Sequence, residues 1–177
     1  MRFRKAAASA RSFAANFERD FRNLYFYGTV GTGKSFLSVC IARELIEAGW
    51  SVLYFSAAAL FDRLSSYTFS YKNKDELQDF TGDLYSCDLL IIDDLGTELT
   101  NQFVAAQLFT CLNERFMNRK STIISTNLSL RELQSRYSDR VFSRITNDYE
   151  LYKLTGPDIR VVKSRRGKAI RRRDQFQ

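Results

Sequence analysis

The sequence predicts an α/β domain, a parallel sheet with helices packed on both of its faces. Strand-length apolar runs at 24–27, 51–56, 87–93 and 121–126 alternate with segments whose apolar residues recur at helical spacing. The run Leu89-Leu90-Ile91-Ile92 has no polar interruption, as in a strand buried on both faces. At 177 residues and 45% apolar content the chain has material for one such core and too little for two.

Leu24-Tyr25-Phe26-Tyr27 is the first strand, and Gly28-Thr29-Val30-Gly31-Thr32-Gly33-Lys34-Ser35 follows it, a complete G-x-x-x-x-G-K-[ST] phosphate loop. Glycines let the backbone curl so that its N–H groups face a phosphate, and the helix start adds partial positive charge. Lys34 reaches the β/γ oxygens and Ser35 offers a hydroxyl to Mg²⁺. Phe36, Leu37, Val39, Cys40, Ile41, Leu45 and Ile46 then read as a buried-face helix that Gly49 stops. A strand at 51–56 and a helix at 57–64 follow, with a polar stretch at 65–75 interleaved by Tyr67, Phe69 and Tyr71.

The strand at 87–93 ends in Asp93 and Asp94, the Walker B pattern. Asp93 is placed to hold Mg²⁺ beside Ser35, and Asp94 to orient or deprotonate a water. A helix over 102–119 offers Phe103, Ala106, Leu108, Phe109, Leu112 and Phe116 for burial. The strand at 121–126 is closed by Asn127, whose amide can donate to a γ-phosphate or orient the water, and which is equally a turn former. Short helices at 130–136 and 139–147 and a last strand at 149–154 complete the pattern. Arg140 and Arg144, four residues apart, share one helix face, either as surface ion-pair partners or as a finger aimed at a neighbouring subunit's phosphate.

The net charge of +7 is concentrated at the ends. Residues 1–22 hold six Lys/Arg against two acids and 160–177 hold eight against one, whereas the middle is slightly acidic. The tail at 163–177 reads as disordered when alone, and suits either a polyanion such as nucleic acid or a purely solvating role. The three cysteines, Cys40, Cys87 and Cys111, lie far apart in apolar stretches and fit buried thiols rather than a disulfide or zinc framework. Histidine is absent, so chemistry that needs imidazole is excluded. With no apolar run of membrane length and no secretory pattern at the N-terminus, the expectation is a cytoplasmic protein without a membrane partner.

Residues 28–35, 89–94, Ser125-Thr126-Asn127 and Arg140-Val141-Phe142-Ser143-Arg144 together resemble an AAA+ ATPase. The stretch Leu89 to Glu98 with Thr122 to Ser129 resembles the bacterial replicative helicase loaders, DnaC/DnaI-like, and their relatives the IstB-like transposition helpers, over about residues 16–163. The resemblance implies a sheet of order 5-1-4-3-2 without a helical lid, with 1–22 a basic helical or linker flank, 23–162 the ATPase domain and 163–177 a tail. It implies ATP and Mg²⁺ as ligands, slow switch-like hydrolysis to ADP and phosphate, ATP-dependent homo-oligomers, single-stranded DNA and delivery of the replicative helicase. Lys34, Ser35, Asp93, Asp94 and Asn127 then form the in-cis site, with Arg144 as first and Arg140 as second candidate for the trans finger, and Arg160 as the sensor-II-like arginine. Tyr67, Phe69, Tyr71, Lys72, Asn101 and Phe103 would face DNA. Three departures stand out. The acid pair is Asp-Asp rather than Asp-Glu, which leaves Glu98 as a substitute base. No lid helix is discernible. The chain begins almost at the ATPase core, so that the segment gripping the helicase is largely missing. A small-molecule kinase is the alternative of another class, and it leaves Asn127 and the arginine pair without roles.

Overall fold

The computed structural model describes residues 2–69 and 74–159. Five strands form one parallel sheet: β1 (Leu24–Gly28), β2 (Val52–Ser56), β3 (Leu89–Leu95), β4 (Ser121–Thr126) and β5 (Glu150–Leu154). Their order is β2-β3-β4-β1-β5, the expected 5-1-4-3-2 read from the other edge. Because β4 stands between β1 and β3, pairing Leu24 with Ile123 and Ile91 with Ile123, the carboxyl ends of all three strands meet along one rim.

Seven helices cover the sheet among the described residues: α1 (Arg2–Ala15), α2 (Lys34–Glu47), α3 (Ala57–Phe69), α4 (Lys74–Ser86), α5 (Gln102–Met117), α6 (Leu130–Arg136) and α7 (Asp139–Asp148). Strand periodicity divides the core. Leu24, Phe26, Ile91 and Ile123 pack with α1 and α2, whereas Tyr25, Leu90, Ile92 and Ile124 pack under α3, α4, α5 and α7. Local signals delimit the helices: Gly49 at φ 89° ends α2's turn, and Asn101 Oδ1 accepts the Val104 N–H at 2.9 Å to cap α5. Ser129 and Glu132 cap α6 reciprocally, and the Ser138 side chain accepts from Val141 to start α7.

Several expectations need correcting. The stretch 65–69 is helical, because α3 runs on to Phe69. Helix α4 was not foreseen; Leu77, Phe80 and Leu84, at i, i+3 and i+7, turn one side toward the core. In α2 the apolar residues are not all core: Phe36, Val39 and Ile46 are exposed, while Leu37, Ile41 and Leu45 are buried. In α5 burial falls on Val104, Leu108, Cys111, Leu112 and Arg115, and Ala106 is exposed. Cys87 and Cys111 are buried and Cys40 is half-buried, all three as free thiols. The basic flank at 1–22 also contributes to packing, through Ala6, Ala10 and Phe13 of α1. None of the described helices is long and apolar enough to cross a membrane.

Arg115 holds the far end of the sheet. It is wholly buried, and its guanidinium donates to Leu84 O at 2.7 Å, Cys87 O at 3.0 Å, Ser121 O at 2.6 Å and Thr122 Oγ1 at 3.0 Å. One planar fork thereby satisfies the carbonyls where α4 ends and β4 begins.

Candidate nucleotide-binding site

The phosphate loop leaves β1 at Gly28, whose φ is 126°; a Cβ there would overlap the Leu154 carbonyl of β5, so only glycine fits. Thr29 N–H donates to that same carbonyl at 3.1 Å, and Thr32 Oγ1 closes the loop on Thr29 O at 2.8 Å. Gly33, at φ 94°, stands at the N-cap of α2, and its missing side chain leaves room for the Phe3 ring of α1. Lys34 and Ser35 thus open a helix whose first N–H groups point at the loop's concavity.

Lys34 is buried, and its ammonium donates to Gly28 O at 3.0 Å, Thr29 O at 2.8 Å and Asn127 Oδ1 at 2.7 Å. Burial pulls its pKa down, partly countered by Asp94 and Asp93. Asn127, just beyond β4, donates its Nδ2 hydrogen to Asp94 Oδ1 at 2.9 Å. The amide's orientation follows from chemistry, because an ammonium needs an acceptor and a carboxylate a donor. Asp94 itself has φ 59°, at a register shift between Ile92 and Leu95, and its N–H donates to Ser125 Oγ at 3.1 Å. This left-handed backbone turns its carboxylate out of the sheet toward Asn127.

Asp93 is held separately. Ser35 Oγ donates to its Oδ1 at 2.9 Å, Ser125 Oγ donates to the same oxygen, and Tyr54 Oη donates to Oδ2 at 2.6 Å. A serine hydroxyl beside a carboxylate is a hard-oxygen donor set that suits Mg²⁺, an ion that keeps several waters and needs few protein ligands. No cluster of three or more His, Cys, Asp or Glu capable of holding a metal occurs among the described residues.

A cavity of 440 Å³ opens beside this group, lined by Lys34, Ser35, Asp94 and Asn127 on its polar side and by Phe3, Val30, Phe36 and Ile159 on its apolar side. Gly31 and Gly33 form its floor, and Ile159 N–H donates to Gly31 O at 3.0 Å. Phe3 and Ile159 were not foreseen. They arrive from opposite ends of the chain, and no local pattern marks them.

The remaining expected residues lie apart. Glu98 is 5% exposed and faces away: its carboxylate accepts from Gly96 N–H and from the Tyr137 hydroxyl, and it does not line the cavity. That geometry removes it as a substitute base. Arg140 is exposed, with its guanidinium 5.9 Å from the Phe109 ring centre. Arg144 is held within its own chain by Asp148 at 2.9 Å and Asn113 Oδ1 at 2.6 Å, and lies over Phe116. Both line a second, open depression on α7 rather than the Lys34 cavity. Tyr67 packs on Phe80 and accepts from Arg63, Asn101 caps α5, and Phe69, 72% exposed, rests on Phe103 at 5.3 Å between ring centres. Tyr71, Lys72, Arg160 and the tail at 163–177 lie outside the described residues.

The chain is similar to known proteins in sequence and in fold. The replicative helicase loader DnaC of Buchnera aphidicola subsp. Baizongia pistaciae is 29% identical over 142 residues, covering 80% of this chain and 57% of the relative. The chain therefore spans little more than half the length of the curated relatives it matches. A crystal structure of the DnaC helicase loader superposes with a TM-score of 0.73 at 28% identity, covering 84% of this chain and 87% of that one. The crystal structure of DnaI gives 0.72 at 25% identity, covering 87% and 82%. The fold is accordingly that of an AAA+ P-loop ATPase. Residues 5–166, which carry the phosphate loop, both aspartates, Asn127 and the α7 arginines, match the family described as IstB-like ATP binding protein, and the chain belongs to that family.

Proposed function

We propose that this chain is the ATP-hydrolysing module of a helicase loader, in which ATP drives self-assembly on single-stranded DNA and slow hydrolysis resets it. The observation that carries the reading is the chain of contacts Lys34–Asn127–Asp94 beside Ser35–Asp93, which joins a phosphate-binding cation to a water-orienting acid. Curated relatives named as replicative helicase loaders support the loading role.

Each residue has a task in this scheme. The loop N–H groups and Lys34 hold the β- and γ-phosphates, while Phe3, Val30, Phe36 and Ile159 cover the base with apolar surface. Ser35 and Asp93 would hold Mg²⁺, which would offset the negative charge of the phosphates. Asp94 accepts a proton from the attacking water, and Asn127 orients that water and the γ-phosphate. The trans cation falls better to Arg140 than to Arg144, because Arg144 would first have to give up Asp148 and Asn113. Phe69, exposed and resting on the half-buried Phe103, offers an aromatic face for stacking on DNA bases, close in sequence to Tyr71 and Lys72.

Sizing the chain with and without ATP and single-stranded DNA tests the assembly step, and a monomer under every condition would count against it. Hydrolysis restored by mixing inactive Lys34→Ala with inactive Arg140→Ala chains requires a site shared between subunits, whereas a small-molecule kinase would restore none. The family assignment also supports a transposition-helper reading, which predicts tighter binding to duplex than to single-stranded DNA.

A further inference from the structure

Asp93 is fixed by hydroxyls from three different elements, and one of them belongs to no recognised motif. Ser35 comes from the start of α2 and Ser125 from β4, both bonded to Oδ1. Oδ2 accepts from Tyr54 of β2, the edge strand of the sheet. In the β2–β3 register Tyr54 lies beside Ile91, and Ser56 beside Asp93. The phenol therefore leans two residues along the sheet, on the face shared by Ile91 and Asp93, to reach the carboxylate. At 2.6 Å the contact has the length of a charge-assisted O–H···O⁻ bond.

The two ends of the carboxylate differ in function. Ser35 can donate its hydrogen to Oδ1 and still present oxygen lone pairs to a cation, so that end belongs to the metal. Rotation of the carboxylate about its Cβ–Cγ bond would carry Oδ1 away from Ser35, and the Tyr54 bond to Oδ2 resists that rotation. Tyr54 remains 40% exposed, so its ring closes little of the core, and the hydroxyl is the part of the side chain that meets the site.

We infer that Tyr54 is the positioning residue of the Mg²⁺ site, its hydroxyl holding Asp93 in the orientation that leaves the Ser35 side open to the cation. The inference rests on Ser35 and Asp93 being the metal-holding pair. It goes beyond that reading by assigning a role to the edge strand.

The test is a titration of the full chain with a fluorescent ADP analogue at a series of Mg²⁺ concentrations, for the unaltered protein and for Tyr54→Phe. In Tyr54→Phe, affinity without Mg²⁺ is expected to stay within about twofold, while the Mg²⁺ concentration giving half-maximal tightening rises about tenfold, the usual scale for removing an outer-shell partner. Addition of Mg²⁺ to the nucleotide-loaded protein should also produce a tyrosine ultraviolet difference signal that is absent in the variant, although the variant keeps the other eight of the chain's nine tyrosines. A thermal melt fixes the temperature at which both proteins are folded, and the comparison is made below it. Equal Mg²⁺ midpoints overturn the Tyr54 assignment alone. No Mg²⁺ dependence in the unaltered protein overturns the metal-pair reading and, with it, the role of Tyr54.

Discussion

Asn127 donates to Asp94 across the gap between the ends of β4 and β3, at 2.9 Å, while its other amide atom accepts from Lys34 at 2.7 Å. The Asp94 carboxylate and the Lys34 ammonium, which are sixty residues apart in the chain, therefore share one planar group. Asn127→Ala removes both bonds and leaves Asp94 free to reorient. The expected result is a fall in ATP turnover of about 10²-fold, the scale of losing one preorganised donor, with nucleotide affinity changed much less. Phosphate release at saturating ATP and equilibrium binding, measured on the same preparation, separate the two; a loss of affinity with turnover unchanged would place Asn127 in binding alone.

Glu98 should behave as a structural acid. Its buried carboxylate serves Gly96 N–H and the Tyr137 hydroxyl, and Arg136 Nη2 donates to its backbone carbonyl at 3.0 Å. Glu98→Ala strands the Gly96 N–H and the Tyr137 hydroxyl, while the backbone carbonyl stays for Arg136, and is expected to lower unfolding free energy by about 2–3 kcal/mol. Turnover per folded molecule should persist in Glu98→Ala and vanish in Asp94→Ala, and denaturant melts alongside hydrolysis assays read both quantities.

The Arg115 fork is a strong stability determinant. Arg115→Met leaves the carbonyls of Leu84, Cys87 and Ser121 without their donor, at an expected cost of about 3–5 kcal/mol. Arg115→Lys should recover little of this, because an ammonium cannot reproduce the fork. Urea unfolding of both variants is the measurement; a lysine variant as stable as the original would refute the geometric argument.

Acid sensitivity should trace in part to Asp88. Burial alone would raise its pKa, but Lys120 at 2.8 Å and two hydrogen bonds from Ser51 outweigh this and pull it down to about 2. A carboxyl depressed in the folded state contributes stability that is fully present above the unfolded value of about 4 and is lost as pH falls toward the folded value. Stability of the unaltered protein should therefore decline between about pH 4 and pH 2 more steeply than that of Asp88→Asn. The pair is partly exposed, so the difference should be no more than about 1 kcal/mol; parallel pH curves would remove Asp88 from the account.

What could be read in the sequence was what is local along the chain. The phosphate loop, the apolar β3 run ending in acids and the strand before Asn127 each occupy a few consecutive residues, and the sheet brings them to one rim. Phe3, Tyr54 and Ile159 carry no such signature, because each matters only through a partner distant in the chain. Helix α4 was hidden by its charges and Gly82, which weaken the apolar stripe of Leu77, Phe80 and Leu84. Arg115 shows the opposite failure. Composition places an arginine at the surface, and only the carbonyls left where α4 ends and β4 begins explain why this one is inside.

The left-handed backbone at Asp94 bears on which acid can stand there. Among residues with a side chain, aspartate and asparagine tolerate positive φ far better than longer or branched ones, since a short polar group can answer to its own backbone. Glutamate, common at this place in AAA+ proteins, would meet that φ without this local compensation and would carry its carboxyl one methylene further, past the Asn127 amide. The second aspartate of the pair is thus selected by the turn of the chain as much as by the reaction, and the main chain, before any ligand arrives, sets how far the acid can reach.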